Sequence, residues 1–246
     1  MAILEVAGLR KRYPAFLLDG VSFSLAPGRI MGLIGRNGAG KTTTLKSIFG
    51  LVHPDGGTVR VFGLEMPRDA REIKRRIGYA GGAADYYKHK KLRDILAVTK
   101  PFYENWDDAV CRRYLDAFSL DEGKTPRELS EGMRVKFSLT LALSHHAELL
   151  ILDEPTSGLD PVSRAELLDA FLFLKKQGIG ILFSTHITTD LEKCADDIVY
   201  LARGRQLAAG PLDAFLAESK AAGKGANLEE IMVSCEKESL YEKLAE

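Results

Sequence analysis

Residues 35–42 read Gly35-Arg36-Asn37-Gly38-Ala39-Gly40-Lys41-Thr42 and match the pattern G-x-x-x-x-G-K-[ST]. An apolar run from Ile30 to Ile34 precedes them, and a stretch with helical character at 41–49 follows, which Gly50 can end as a C-terminal cap. A chance glycine-rich turn is the alternative interpretation. The order of strand, glycine-rich loop and helix argues against it.

This loop has the chemistry of a phosphate-binding site. Glycines let consecutive backbone N–H groups face one anion, and the N-terminus of the following helix adds a partial positive charge. Lys41 can reach the β- and γ-phosphates of a nucleotide, and the Thr42 hydroxyl can ligate Mg²⁺. The segment therefore predicts phosphate binding.

Two carboxylates follow a second apolar run, Leu149 to Leu152. Ligands bind at the carboxyl ends of the strands of a parallel sheet. At that edge Asp153 can hold Mg²⁺ through its water shell, and Glu154 is placed to polarise an attacking water. Two solvated charges at a strand end are the alternative, which the neighbouring phosphate loop disfavours.

A third apolar run, Ile181 to Phe183, leads through Ser184 and Thr185 to His186. A lone histidine is more often structural than catalytic. At the end of a neighbouring strand in a phosphate-binding sheet, however, its imidazole can contact the γ-phosphate. The position of His186 favours this functional interpretation.

The rest of the chain alternates between strand and helix signals. Apolar residues alternate at 21–25, which predicts a strand, and further strands are predicted at 58–62 and 179–183. From about 85 to 146 the strand signals vanish and apolar residues recur at helical spacing, which predicts an inserted helical subdomain. We therefore predict an α/β fold in which helices cover a mostly parallel sheet.

Composition narrows the function classes. The 246 residues include 34 Lys and Arg and 34 Asp and Glu, so the basic surface typical of nucleic-acid binders is not expected. No stretch approaches the roughly 20 apolar residues of a membrane-spanning helix, and the N-terminus does not match a signal peptide. The three cysteines form no close pair and fit reduced thiols. We expect a cytoplasmic protein that binds no nucleic acid.

Together these motifs resemble the ATP-binding subunits of ABC transporters, from about residue 4 to residue 210. The resemblance implies a P-loop ATPase fold with a mostly parallel core, an inserted helical subdomain and an N-terminal antiparallel β part. It also implies ATP and Mg²⁺ as cofactors, with Thr42 and Asp153 on the metal and Glu154 and His186 as catalytic residues. Tyr13 is expected to stack on adenine, a core-edge position being the alternative. The implied phosphate contacts are Gly35, Asn37, Gly38, Ala39, Gly40, Lys41, Thr42 and Thr43.

The signature segment of this family, usually LSGGQ, here reads LSEGM at 129–133. The resemblance implies a head-to-tail dimer in which Ser130 and Gly132 bind the γ-phosphate held by the partner subunit. Asp160, in the segment that resembles the D-loop, is expected at the same site. A plain helix cap is the alternative for Ser130 and for Asp160, which precedes Pro161. The LSEGM variant resembles exporter-type motors of the drug, peptide and polysaccharide class.

A second departure follows the segment 77–79. The family usually places there a Gln or Glu that touches Mg²⁺ and the attacking water, whereas this chain has Gly82. Because glycine has no side chain for either contact, we expect a slow ATPase, unless Asp85 substitutes when the permease docks. The aromatic and basic run 86–91 is the predicted permease contact, with a solvated charge run as the alternative.

The resemblance predicts a single nucleotide-binding domain at 1–220, followed at 221–246 by a linker and a short helical tail. It predicts an exporter motor in which two subunits, identical or different, sandwich two ATP·Mg²⁺. The motor would drive a separate permease from the inner face of the cell membrane. A pore-less ABC ATPase and a weakly hydrolysing regulator are the alternatives. The single cassette and the lack of sustained heptads disfavour the first, while Gly82 keeps the second open.

Overall fold

A computed structural model describes residues 1–81 and 87–235 of the chain. Its strands and helices, in chain order, are β1 (Leu4–Tyr13), β2 (Phe16–Leu25), β3 (Ile30–Ile34), α1 (Lys41–Ile48), β4 (Gly56–Val61), β5 (Leu64–Met66), α2 (Ala70–Arg75), β6 (Ile77–Gly81), α3 (Leu92–Thr99), α4 (Asp108–Ala117), α5 (Glu131–Ser144), β7 (Leu149–Asp153), α6 (Pro161–Lys176), β8 (Gly180–Thr185), α7 (Thr188–Cys194), β9 (Asp197–Ala202), β10 (Arg205–Pro211) and α8 (Leu212–Ala221). Residues 228–235 are again helical.

The strands form one sheet in the order β5-β4-β1-β2-β10-β9-β3-β8-β7-β6. The five strands from β9 to β6 in this order are parallel to one another. At the other end of the sheet, β1, β2, β4 and β5 pair in antiparallel fashion. The predicted combination of a parallel core with an N-terminal antiparallel part is confirmed.

The central parallel strands are buried on both faces. Every residue of β3 and β8 is buried, as are the first four residues of β7. Met31 and Leu33 of β3 belong to one apolar cluster, and Ile30 and Ile34 belong to a second cluster on the opposite face. Such strands read as continuous apolar runs rather than alternating ones, because both faces are covered.

The chain between β6 and β7 forms a helical layer, and residues 87–148 contain no strand. Leu92 of α3, Leu115 of α4 and Phe137 of α5 share a third apolar cluster in this layer. Helix α5 also packs on the sheet, since a Cβ added to Gly78 of β6 would lie 2.3 Å from Cβ of Ala142. The inserted helical subdomain is confirmed, and its limits near 85 and 146 stay predictions.

The chain beyond α8 returns to the core. Gly223 and Gly225 have φ angles of 70° and 149°, which end α8 and turn the chain. Leu228 and Ile231 are then each 1% exposed, and the Leu228 N–H donates to Glu192 Oε1 at 2.7 Å. The predicted division at 220 stays a prediction, and residues 236–246 of the predicted tail lie outside the described residues.

Candidate functional site

Glycines hold the loop between β3 and α1 in conformations that other residues rarely adopt. Gly35, Gly38 and Gly40 have φ angles of 155°, 83° and 111°. A Cβ on Gly35 would lie 2.3 Å from the carbonyl oxygen of Leu201, and one on Gly40 would lie 2.7 Å from Leu18 Cδ1. The loop therefore needs glycine at positions 35 and 40 for both conformation and space.

The Lys41 side chain lies against this loop and is 6% exposed. Its Nζ donates to the carbonyl oxygen of Gly35 at 2.7 Å and to that of Arg36 at 3.4 Å. The same Nζ lies 3.1 Å from Glu154 Oε1. A buried ammonium is tolerated only with such partners, so the loop and Glu154 together hold a positive charge beside the phosphate-binding segment.

Thr42 and Asp153 form a second contact between the loop and the strand ends. Thr42 Oγ1 donates to Asp153 Oδ1 at 3.2 Å. A hydroxyl and a carboxylate are the hard oxygen ligands that suit Mg²⁺. Among residues 1–81 and 87–235, no group of three or more His, Cys, Asp or Glu could hold a metal ion. The pair therefore fits Mg²⁺ that takes its other ligands from phosphate oxygens and water.

Glu154 follows β7 with a φ of 52°, in the left-handed region that residues other than glycine rarely adopt. Its N–H donates to Ser184 Oγ at 2.9 Å, and its Oε2 lies 2.8 Å from His186 Nδ1. With Oε1 facing Lys41, the carboxylate is held between an ammonium and an imidazole. A carboxylate fixed in this way at the edge of a cleft can act as a general base on water.

Lys41, Thr42, Glu154 and His186 line an open cleft of about 460 Å³. The residues predicted from the sequence that line it are Asn37, Gly38, Gly40, Lys41, Thr42, Thr43, Glu154 and His186. Gly35, Ala39 and Asp153 lie outside the lining, and the Ala39 N–H donates to the Arg36 carbonyl at 3.1 Å. The structure thus brings the loop and the ends of β7 and β8 together at one site.

Phe16, Arg36 and Ser157 also line the cleft, although the sequence motifs assign none of the three a role. Phe16 pairs with Tyr13 across the β1–β2 hairpin, with ring centroids 6.4 Å apart. Tyr13, the predicted adenine contact, is 38% exposed and lies outside the lining. A Cβ on Gly40 would lie 3.1 Å from Phe16 Cζ, a proximity that comes from long-range packing and leaves no local sequence signal.

Ser130, Gly132 and Asp160, the predicted contacts to the partner's nucleotide, lie at helix N-termini and not in the cleft of their own chain. Ser130 caps α5, and its Oγ accepts from the Met133 N–H at 3.2 Å. Asp160 caps α6 by accepting from the N–H groups of Val162 and Ser163, each at 3.0 Å. Hydrogen bonds from the Ser163 side chain and backbone lower the pKa of the Asp160 carboxyl. Gly132 is buried in the first turn of α5.

Strand β6 pairs with β7 on the side of β7 opposite to β8. Gly81 pairs with Asp153, and Tyr79 lies two residues earlier on the same strand. Burial, together with the charge of Asp153, raises the pKa of the Tyr79 phenol. Gly82 and Asp85 lie outside the described residues, as does residue 86 of the predicted permease contact. Residues 87–91 are exposed.

Known proteins share this sequence pattern. A family model described as ABC transporter matches residues 18–157. Nod factor export ATP-binding protein I of Paraburkholderia xenovorans (strain LB400) is 34% identical over 223 residues, which are 88% of this chain and 73% of that protein. This chain belongs to the ABC transporter family. The protein of the same name from Ralstonia nicotianae (strain ATCC BAA-1114 / GMI1000) is 34% identical to this ABC ATPase and aligns with 85% of it and 67% of that protein.

Solved structures of ABC transporter ATP-binding proteins share the fold of this ABC ATPase. The structure of an ATP binding subunit of an ABC transporter superposes with a TM-score of 0.83 at 33% identity, covering 94% of this chain and 98% of that one. An ATP-binding cassette in an ADP conformation superposes with a TM-score of 0.74 at 23% identity, covering 87% and 92%, and supports the fold alone. The predicted family and fold are confirmed.

Members of the family bind nucleotide and hydrolyse ATP, and this ABC ATPase is accordingly an enzyme of that activity. The predicted ATPase activity is therefore confirmed at the level of the family. No helix within residues 1–81 and 87–235 is long and apolar enough to cross a membrane.

Proposed function

We propose that the chain is the motor subunit of an ABC exporter. Two subunits, identical or different, close on two ATP·Mg²⁺ and drive a separate membrane permease from the inner face of the cell membrane. Export is supported by the signature variant LSEGM and by the relatives, which are named Nod factor export ATP-binding proteins. The observation that carries the proposal is the row of contacts Lys41–Glu154–His186 across the cleft.

In this proposal the residues of the cleft divide the work of hydrolysis. Lys41 binds the β- and γ-phosphates, while Thr42 and Asp153 hold Mg²⁺, which neutralises charge on the phosphate oxygens. A γ-phosphate competes with Glu154 for Lys41, now 3.1 Å from Glu154 Oε1, and so leaves the carboxylate available to water. His186 contacts Glu154 through Nδ1 and can reach the phosphate through Nε2.

The second half of each site is proposed to come from the partner subunit. Ser130 is exposed at the N-terminus of α5, where its hydroxyl, backbone N–H groups and the helix dipole suit an anion. Ser130 and the first turn of α5 are not part of the lining of the cleft of their own chain. The family resemblance implies that the N-terminus of α5 binds a nucleotide held by a second subunit. Asp160 caps the neighbouring helix α6.

Substitution of Glu154 tests the proposed chemistry. Glu154→Gln keeps the size of the side chain and removes the base, so ATP should still bind while hydrolysis falls by about 100-fold or more. The variant should also accumulate as an ATP-bound dimer, measured by light scattering beside the ATPase rate. Glu148→Gln, at the opposite end of β7, is the matched control and should hydrolyse ATP normally. Wild-type hydrolysis by Glu154→Gln protein would contradict the assignment.

A further inference from the structure

Ser184 lies at the end of β8, two residues before His186, and is fully buried at 0% exposure. Its Oγ donates to Asp153 Oδ1 at 2.6 Å and accepts from the Glu154 N–H at 2.9 Å. The Ser184 hydroxyl therefore donates its proton to the Asp153 carboxylate and accepts a hydrogen bond from the backbone N–H of Glu154. The contact is built into the sheet, because Asp153 and Ser184 are register partners of the parallel strands β7 and β8.

The bond to Asp153 sets the direction of the carboxylate next to the phosphate loop. Asp153 Oδ1 accepts from Ser184 Oγ and, at 3.2 Å, from Thr42 Oγ1. Two donors on one oxygen restrict rotation of the side chain and keep it beside Thr42. Without Ser184 Oγ, the Asp153 Oδ1 atom would keep only the longer of these two hydrogen bonds, the one from Thr42 Oγ1.

The bond to Glu154 holds a backbone conformation that is unfavourable by itself. The φ of 52° at Glu154 persists only where surrounding groups fix it. Its N–H donates to Ser184 Oγ and also to the Ser184 carbonyl at 3.2 Å. This conformation carries the Glu154 side chain to Lys41 and His186, the two contacts on which its proposed role depends.

We infer that Ser184 is a positioning residue for ATP hydrolysis, whose hydroxyl holds Asp153 and Glu154 together in their working arrangement. The inference rests on the roles proposed above for those two carboxylates. A side chain that only fills space at this position would need volume but no hydroxyl. Alanine removes the hydroxyl, and cysteine keeps almost the same volume with a much weaker donor and acceptor.

Ser184→Ala should lower kcat for ATP by about 10- to 100-fold, the range expected when a residue that orients a metal-ligating carboxylate is lost. KM for ATP should change by less than about threefold, because the substitution leaves Lys41 and the glycine loop in place. The Mg²⁺ concentration for half-maximal binding of a non-hydrolysable ATP analogue should rise by about threefold or more, as Asp153 loses its orientation. This binding titration does not depend on turnover.

Ser144→Ala is the matched control. Ser144 is also 0% exposed, and its Oγ donates to the Thr140 carbonyl at 2.6 Å, at the end of α5 and outside the cleft lining. The control should leave kcat, KM and the Mg²⁺ requirement unchanged. If Ser184→Ala does not fold, Ser184→Cys takes its place, with an expected fall in kcat of at least about fivefold.

A folded Ser184→Ala or Ser184→Cys protein with kcat within twofold of wild type would overturn the inference, and so would an unchanged Mg²⁺ requirement. Glu154→Gln measured in parallel separates this failure from that of the proposed function. If Glu154→Gln is inactive while Ser184→Ala is normal, only the role of Ser184 is wrong. If Glu154→Gln hydrolyses ATP normally, the proposed catalytic assignment itself has failed.

Discussion

Single charged groups in the cleft are each held by several partners. Lys41 contacts two loop carbonyls and Glu154, and Glu154 contacts Lys41 and His186. Removing one member of such a group leaves another buried charge short of a partner, which costs more than the lost contact alone. We therefore expect the losses of ATPase activity caused by substitutions at these residues to be strongly non-additive. A double variant should lose little more activity than the more severe of its two single variants.

Tyr13 and Phe16, which pair at the turn of the β1–β2 hairpin, allow a direct test of base recognition. Phe16 lines the cleft and Tyr13 does not. Stacking on a base contributes on the order of 1–3 kcal/mol, so Phe16→Ala should raise the Kd for ATP by about 10-fold and Tyr13→Ala by less than about threefold. Equilibrium binding of a fluorescent ATP analogue measures both, and binding of tripolyphosphate, which has no base, should be unchanged. The reverse order would support the family expectation for Tyr13.

Secondary-structure elements bring the chemistry together through the order of their strands. β8 lies between β3 and β7, so the phosphate loop, the two carboxylates and His186 meet at one edge of the sheet. The sequence predicts these strands because buried parallel strands are continuous apolar runs, and their terminal residues are polar. Local patterns do not contain the strand order or the position of Phe16, since both depend on pairing between distant segments. The role of Gly82 stays a prediction.

The end of α5 is joined to the end of α2 by His145. Its ring stacks on Tyr103 with centroids 3.8 Å apart, and its Nδ1 lies 3.2 Å from the carbonyl oxygen of Arg75. Asn105 donates to the His145 carbonyl at 2.6 Å. Burial lowers the pKa of His145 to about 4, so the ring is neutral in the folded protein over the physiological range. The contact therefore couples the helical layer to α2 without adding charge.

This lowered pKa predicts how stability depends on pH. Between pH 6.5 and about 4 the unfolded chain binds a proton at His145 that the folded protein does not, so stability falls as pH is lowered through this window. From pH 7.5 to pH 5 the loss should be about 2 kcal/mol in the free energy of unfolding. Urea denaturation of His145→Asn protein should show a correspondingly smaller loss. His146→Asn, at the exposed neighbour, is the control; a wild-type slope in His145→Asn protein would contradict the assignment.

At the scale of the whole molecule, the residues of the proposed composite site fall into two groups, of which one chain's cleft is lined by only one. The cleft contains the phosphate loop, Glu154 and His186, whereas Ser130 and Asp160 cap α5 and α6 outside it. The sequence predicts both halves, because the family motifs are local. Two chains are therefore needed in the proposed function to complete each site.

Complementation between two inactive variants tests this sharing most directly. Lys41→Ala removes the phosphate cation, and Ser130→Arg blocks the signature helix, so each homodimer should be inactive. Random mixing gives mixed dimers with one intact composite site, and the ATPase rate should recover to roughly a quarter of the wild-type value if the two sites act independently. The rate is measured on a mixture in which differently tagged subunits are shown to pair. Hydrolysis no higher than that of either variant alone, in confirmed mixed dimers, would contradict a shared site.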